Sequence, residues 1–365
     1  MGVTFAMDFD LNDDQQSLAA AAKDLLDGRA DPSRVRKVVD GGGGLDPDLW
    51  ADMVDQGWTG VAVAEERGGL GLGTVELAVL LEQVGAHVAP APVLQQALAL
   101  DALSRPGLDW DVAALLAGES IATVAFASLT AAADDGGWLV SGATEPAVYA
   151  PAASLAVVRA ATDAGEALFV VDLDATGTRP GAEPAMDLTR ELGWLRFEAT
   201  PATRLGGMSA VTRFVDLGAV AYAAEMLGIA ARVLDLSADY ARERVQFGRP
   251  IGSFQAVKHR CADMLVDVEG MRSAVYYAAW SIGAGDAEAS VAASTAKCWC
   301  SDAGKRVCAS GLQVHGGIGF TWEHDLHLFM KRAQLDEVSF GDASWHRTRL
   351  AGLLRGRVEA GEPVI

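Results

Sequence analysis

The stretch that decides the fold of this chain runs from residue 244 to residue 255 and reads Arg-Val-Gln-Phe-Gly-Arg-Pro-Ile-Gly-Ser-Phe-Gln. Apolar residues at helical spacing precede and follow it, so its Gly and Pro residues mark a turn between two long helices. Arg244 ends the first helix beside this turn, where a guanidinium group can make two parallel hydrogen bonds to a diphosphate. Gln255 opens the second helix, which places its amide across the same turn. The stretch therefore predicts an anion-binding turn between two helices.

The helices on either side of the turn each carry one apolar stripe with the period of an α-helix. The first stripe is Tyr222, Met226, Ile229, Val233, Leu236 and Tyr240, and the second is Val257, Cys261, Met264, Val268, Met271 and Val275. Further helices are predicted at about residues 286–309, 325–334 and 344–355. Long helices joined by short links describe a helical bundle.

A second glycine-rich segment lies farther along the bundle, where residues 313–320 read Gln-Val-His-Gly-Gly-Ile-Gly-Phe. Its glycines allow the backbone to approach a ligand closely and expose N–H donors to it. A purely structural interpretation is also open. In that interpretation Arg244 pairs with a carboxylate such as Glu243 or Asp239, and the glycines only cap a helix.

The part of the chain before the bundle contains both helical and strand-like patterns. Asn12 is a plausible N-cap, and Pro47 fits the first turn of a later helix. Short β-branched runs such as residues 155–158 and 168–171 follow, and the Asp-Asp-Gly-Gly sequence at 134–137 is typical of a β-hairpin turn. The predicted fold is α+β, with an N-terminal α-helical domain (1–118), a small middle β-barrel-like domain (119–208) and a C-terminal helical bundle (209–365).

The composition narrows the class of protein. The 365 residues carry a formal net charge of −20, which argues against nucleic acid and anionic membrane surfaces as partners. No apolar run reaches the roughly 18 residues of a spanning helix, and the N-terminus lacks the regions of a signal peptide. Four cysteines are too sparse for a disulfide scaffold, and His324 and His327 lack a third ligand for a metal. We expect a soluble cytoplasmic protein.

The two glycine-containing segments resemble the signatures of the acyl-CoA dehydrogenase family. Residues 244–255 resemble its Arg-x-x-Phe-Gly segment with a later Gln, and residues 313–319 resemble its Gln-x-x-Gly-Gly-x-Gly loop. The order of the three predicted domains is also that of the family. The resemblance implies an oligomer in which these residues contact the pyrophosphate and adenosine half of an FAD held mainly by the neighbouring subunit. The implied FAD-binding residues are Arg244, Phe247, Gln255, Gln313, Gly316 and Gly317.

Other parts of the family's pattern are missing from this sequence. The middle domain normally carries a Thr-Glu-Pro-Gly-x-Gly-Ser-Asp loop and a Trp-Ile-Thr-Asn-like strand, which cradle the isoalloxazine ring and the acyl thioester. Here the loop is absent after Phe126, and residues 145–150 read Glu-Pro-Ala-Val-Tyr-Ala. The family's catalytic Glu position is matched by Gly341, and its alternative base position falls on Gly218 and Ala219. The resemblance therefore implies no catalytic residue in this chain.

These losses favour the hypothesis that the chain is the non-catalytic subunit of an α₂β₂ acyl-CoA dehydrogenase. A related subunit would then supply the catalytic Glu, the ring cradle and most of the acyl-CoA site. One alternative is a self-sufficient homo-oligomeric flavoenzyme with Asp342 as its base, although Asp342 is also well placed to be a helix N-cap. The other alternative is a pseudo-enzyme that serves assembly only.

Overall fold

The computed structural model describes residues 10–361, apart from the side chains of residues 127 and 128. The chain begins with helices whose ends are fixed by capping side chains. Asn12 accepts a hydrogen bond from Gln15 N at 2.9 Å and donates its own N–H to Gln15 Oε1 at 3.0 Å, which confirms the predicted N-cap. The helices are α1 (Asp13–Arg29), α2 (Pro32–Asp40), α3 (Pro47–Asp55), α4 (Thr74–Ala86), α5 (Val93–Leu103) and α6 (Ala113–Leu116).

The middle of the chain forms a closed barrel of five strands in the order β1-β2-β5-β4-β3. Neighbouring strands are antiparallel except β1 and β3, which pair in parallel and close the barrel. The predicted hairpin turn is confirmed, because Asp134 pairs with Gly137 at the end of β1 and the start of β2. The strands are β1 (Ala122–Asp134), β2 (Gly137–Val148), β3 (Leu155–Thr162), β4 (Gly165–Asp172) and β5 (Leu192–Gly206).

The last part of the chain is a bundle of long helices, so the predicted fold class is confirmed. Most residues of both apolar stripes face the common core, whereas Tyr240, Val257 and Cys261 near the turn are half-buried and lie outside it. The helices α9 and α11 extend several residues beyond the predicted ends. The predicted domain limits at 118/119 and 208/209 stay predictions. The elements are α7 (Met208–Glu243), β6 (Val245–Gln246), β7 (Arg249–Pro250), α8 (Gln255–Gly283), α9 (Ala289–His315), α10 (Leu326–Val338) and α11 (Ala343–Ala360).

Helix α7 is the central helix of the bundle. By length and composition it is apolar enough to cross a membrane, with a mean hydropathy of 1.5 over its most apolar window. Helix α7 contains no long uninterrupted apolar run, because polar residues interrupt the apolar ones. In this fold 94% of that window is buried inside the protein. Its apolar composition is therefore explained by its place in the core.

A buried cluster of charged side chains joins the three parts of the chain. Arg332 of α10 donates to Asp187 Oδ2 at 3.0 Å, in the link between β4 and β5, and to Glu225 Oε1 of α7 at 2.8 Å. Arg190 contacts Glu225 as well and donates to Asp336 Oδ1 at 2.8 Å. Each of these residues is at most 3% exposed. Glu225, a carboxyl group within the apolar helix α7, thus takes part in two buried ion pairs.

The cluster contains two guanidinium groups and three carboxyl groups, so its charges balance only when one carboxyl group is protonated. Within residues 10–361, Glu225 Oε2 and Asp336 Oδ2 have no hydrogen-bond partner. Burial and the neighbouring Glu225 raise the pKa of Asp336 to about 7. The cluster therefore takes up or releases a proton in the neutral pH range, with Asp336 as the carboxyl group whose pKa is raised.

Asp336→Asn should remove part of the pH dependence of stability. Because folding raises the pKa of Asp336, its protonation stabilises the fold at low pH, and this contribution is lost as the pH rises through about 7. The melting temperature of the unmodified chain should therefore fall by a few degrees between pH 6 and pH 8, roughly 2–4 °C per kcal/mol. Calorimetry of the Asn variant should show a flatter profile. Glu337→Gln, on the same helix, is the control, and its melting temperature should fall with pH as in the unmodified chain. An equal fall of the melting temperature in the Asp336 variant would contradict this assignment.

Candidate functional site

The end of α7, the β6-β7 hairpin and the start of α8 form an arm that projects from the bundle. Every residue from 242 to 250 is exposed, and none from 251 to 263 is buried. Phe247 lies at the tip of the hairpin with a positive φ of 53° and is 92% exposed. Gln255 is the first residue of α8 and is exposed. The arm therefore presents the residues of the first sequence segment to the outside of the chain.

Arg244 is the C-cap residue of α7, and its guanidinium group is available for a ligand. No ion pair or side-chain hydrogen bond of Arg244 occurs among residues 10–361. Asp239 instead pairs with Arg242 at 2.6 Å. The ion pair of the purely structural interpretation is therefore absent among the described residues, whereas its helix cap is present, since Gly316 is the C-cap of α9.

The second glycine-rich segment lies next to the base of the arm. His315 is the last residue of α9, and its ring stacks on Tyr240 of α7 with the ring centres 4.6 Å apart. Gly316 ends the helix with φ 64° and ψ −141°, a conformation that favours glycine. A Cβ atom at Gly316 or at Gly317 would meet no atom within 4 Å, and Gln313 is exposed. This open side of the loop leaves room for a ligand or a second chain.

The arm is basic although the whole chain is acidic. Residues 242–260 contain five basic residues and one acidic residue, whereas the chain as a whole has a net charge of −20. The basic residues are Arg242, Arg244, Arg249, Lys258 and Arg260. The net charge thus concealed a local concentration of positive charge. An unpaired guanidinium, an exposed amide and an open glycine loop on a basic arm fit the diphosphate and adenosine part of FAD.

A crevice between the barrel and the bundle is the second candidate site. Two strands, one helix and one turn line it. They are β1 at Phe126, the end of β2 at residues 145–148, α7 at Tyr222 and the turn at Phe340. In the resemblance to the acyl-CoA dehydrogenase family, Phe126 and residues 145–148 lie where the segments that cradle the isoalloxazine ring are expected. The turn at Phe340 lies beside the position of the catalytic Glu. The crevice holds a cavity of about 30 Å³, which is about the share of one water molecule. The residues here do not fit an isoalloxazine ring.

The two positions that match catalytic bases are closed to any side chain. A Cβ atom on Gly218 would lie 2.1 Å from Phe340 Cδ1. Gly341 has φ 90°, and its Cβ would lie 2.7 Å from Trp345 Cε3. Asp342 is exposed and accepts a hydrogen bond from Trp345 N at 2.7 Å, which makes it the N-cap of α11. The helix-cap interpretation of Asp342 therefore describes its observed contacts.

Sequence reasoning missed the residues that fill and support the crevice. The sequence patterns assign no role to Phe340 or to Lys297. Lys297 is 1% exposed and donates to the backbone oxygens of Glu337 and Gly341 at 2.9 Å each. The one available signal was a lysine on the buried face of an Ala-rich helix.

Gly341→Ala should lower the free energy of unfolding by about 1–3 kcal/mol, because a side chain is strained at this φ and meets Trp345. Urea denaturation followed by circular dichroism measures the change. Gly352→Ala is the matched control, since Gly352 lies inside α11 with no atom within 4 Å of its would-be Cβ. The control should raise the free energy of unfolding by about 0.5–1 kcal/mol. Equal effects of the two substitutions would contradict the described turn.

Both ends of the chain match the acyl-CoA dehydrogenase family. Residues 12–111 match the acyl-CoA dehydrogenase N-terminal domain, and residues 206–353 match its C-terminal domain. The acyl-CoA dehydrogenase IpdE2 of Mycolicibacterium smegmatis is 35% identical over 324 residues, which cover 88% of this chain and 93% of that protein.

Two solved structures have the same fold along nearly their whole length. The steroid ACAD Tcur3481–Tcur3483, in a variant form, has a TM-score of 0.90 and 31% identity, covering 95% of this chain and 99% of the matched chain. The ChsE4–ChsE5 complex from Mycobacterium tuberculosis has a TM-score of 0.89 and 31% identity, covering 98% of this chain and 100% of the matched chain. With both terminal domains matched and the fold shared, this chain belongs to the acyl-CoA dehydrogenase family of FAD-dependent oxidoreductases.

Proposed function

We propose that this chain is the non-catalytic subunit of a heteromeric acyl-CoA dehydrogenase. In this function its arm holds the pyrophosphate and adenosine half of an FAD whose ring lies in a related subunit. The complex carries out the α,β-dehydrogenation of an acyl-CoA thioester in lipid metabolism. We place it in the cytoplasm as an α₂β₂ heterotetramer.

The arm is the observation that carries the proposal. Arg244 ends α7 with an unpaired guanidinium, and the exposed Gln255 begins the next helix, so both are available to a group outside this chain. The stacking of His315 on Tyr240 brings the glycine loop of Gln313, Gly316 and Gly317 to the same end of the bundle. Phe247 at the tip has its ring in solvent, and a neighbouring subunit would cover it.

The filled crevice supports the division of labour between two subunits. When bound, FAD accepts the β-hydrogen of the acyl group as a hydride, while a carboxylate removes the α-proton. Phe340 occupies the crevice of this chain, and the two base positions are matched by Gly341 and by Gly218 and Ala219, none of which can remove a proton. A partner subunit with an open crevice and an intact Glu would therefore provide the ring site, the base and most of the acyl pocket. The names of the two structural relatives, a two-component steroid ACAD and the ChsE4–ChsE5 complex, are consistent with such a pairing.

The two alternatives find less support in the contacts. A self-sufficient enzyme needs Asp342 as its base, but this carboxylate is exposed and caps α11. A pseudo-enzyme used only for assembly does not need an unpaired Arg244 beside an open glycine loop. Both alternatives remain distinguishable by substitution.

Arg244→Ala should weaken FAD binding in the complex with the related subunit by about 10- to 100-fold, because a charge-assisted hydrogen bond contributes about 1.5–3 kcal/mol. The FAD content after dialysis and the FAD concentration that restores activity measure the loss. Arg242→Ala is the matched control, since Arg242 is the neighbouring basic residue but pairs with Asp239. It should change FAD binding less than about twofold. Equal FAD binding by both variants would favour the assembly-only alternative, and yellow, active protein from this chain alone would overturn the proposal.

Asp342→Asn tests the self-sufficient alternative. Asn caps a helix about as well as Asp, so the variant should fold normally while it lacks a carboxylate. We expect the turnover of the complex to stay within about twofold, because Asp342 does not act as the base. Asp342→Ala should lower the free energy of unfolding by about 1 kcal/mol through loss of the cap. Loss of turnover in the Asn variant with normal stability would restore Asp342 as a catalytic residue.

A further inference from the structure

The turn between α10 and α11 has an unusual backbone. Phe340 and Gly341 both have positive φ angles, 55° and 90° respectively. This region is unfavourable for a residue with a Cβ atom, so the conformation of Phe340 must be maintained by its surroundings. The turn places the Phe340 ring inside the crevice between the barrel and the bundle, where it is 3% exposed.

The ring of Phe340 is surrounded by other aromatic rings. Its centre lies 5.1 Å from that of Phe214 and 5.5 Å from those of Phe126 and Tyr222. These separations are typical of attractive ring pairs. On the remaining side Gly218 leaves room for the ring, since even a Cβ atom there would lie 2.1 Å from it. The site is thus shaped around one aromatic ring, and Phe340 fills it.

Two buried side chains hold the backbone of this turn. Lys297 Nζ donates to the oxygens of Glu337 and Gly341 at 2.9 Å each and to Ser301 Oγ at 3.1 Å, which uses all three of its protons. His346 Nε2 lies 3.0 Å from the oxygen of Phe340. Lys297 is 1% exposed and His346 is fully buried. We call this pair of side chains the latch.

Burying the ammonium group of Lys297 costs more free energy than ending a helix requires. Burial lowers the pKa of Lys297 to about 8, and Asp336, Glu337 and Asp342 oppose this shift. Burial also lowers the pKa of His346 to about 4. A helix end is ordinarily satisfied by a glycine or by water, without a buried cation. Besides ending the helix, the hydrogen bonds of Lys297 and His346 fix the position of Phe340.

We propose that Phe340 is an aromatic plug, held in the barrel–bundle crevice by the latch of Lys297 and His346, and that its removal opens a site for one aromatic ring. The plug closes this chain's own crevice to flat aromatic ligands. This inference rests on the same filled crevice as the proposed function but not on the arm; because ring binding and FAD binding are measured separately, failure of one is distinguishable from failure of the other.

The first experiment removes the plug and measures the binding of fluorobenzene by ¹⁹F NMR. Phe340→Ala should bind fluorobenzene about tenfold or more tightly than the unmodified chain, because it removes the ring that fills the space between Phe126, Phe214 and Tyr222. In the Phe340→Ala background, Gly218→Leu refills the same space from α7 and should abolish the binding. Equal binding by Phe340→Ala and the unmodified chain, or binding that survives the Gly218→Leu refill, would overturn the proposed ring site.

The second experiment tests the latch while Phe340 remains in place, so it is independent of whether Phe340→Ala folds. Lys297→Met should make the backbone amides of residues 339–342 exchange hydrogen about tenfold faster, because opening the turn no longer breaks the lysine hydrogen bonds. Lys305→Met is the matched control: Lys305 lies on the same helix and contacts only the side chain of Glu337, at 2.9 Å. Its exchange rates at 339–342 should stay within about twofold of the unmodified chain. Equal exchange in the two variants would show that Lys297 does not hold the plug.

Discussion

The buried guanidinium group of Arg332 is the constraint on which the rest of the structure depends. It is fully buried and reaches Asp187 in the link between two barrel strands, Glu225 in α7 and the backbone oxygen of Ala89 after α4. A buried cation without these partners would be strongly destabilising, so the N-terminal helices, the barrel and the bundle have to meet in one arrangement. The crevice that Phe340 fills lies between the barrel and the bundle, two of the parts that this arrangement joins.

The sequence predicted the parts of the fold that depend on neighbouring residues. Asn12 and the hairpin turn at 134–137 are local features, and the two apolar stripes of α7 and α8 follow from helical periodicity alone. The sequence did not predict the partners of Glu225 or the role of Lys297, because those contacts join residues from distant parts of the chain. The ends of α9 and α11 carry a local signal that the sequence analysis did not use, since Gly316 ends α9 with φ 64° and Gly361 ends α11 with φ 71°.

The candidate site was predicted in part. The two signature segments were recognised from their residue types and spacing, and the structure adds that Arg244 is unpaired and that the loop at Gly316 lies near Tyr240. The basic character of the arm was hidden by a net charge that averages over 365 residues. From the sequence, only the absence of the ring-cradle loop and of the catalytic Glu could be recognised, and not that the crevice is closed. That an aromatic side chain from another segment fills the space required the three-dimensional contacts of Phe340.

The exposed tip of the arm has a consequence for the solubility of the free chain. Phe247 is 92% exposed at the end of a hairpin, and Val245 beside it is 53% exposed. Exposed apolar side chains such as these favour association of a free chain with other surfaces. A chain whose tip stays uncovered would therefore be more prone to self-association than its strong negative charge suggests. Replacing the one projecting phenylalanine by a polar residue would change the solubility of the chain without touching its core.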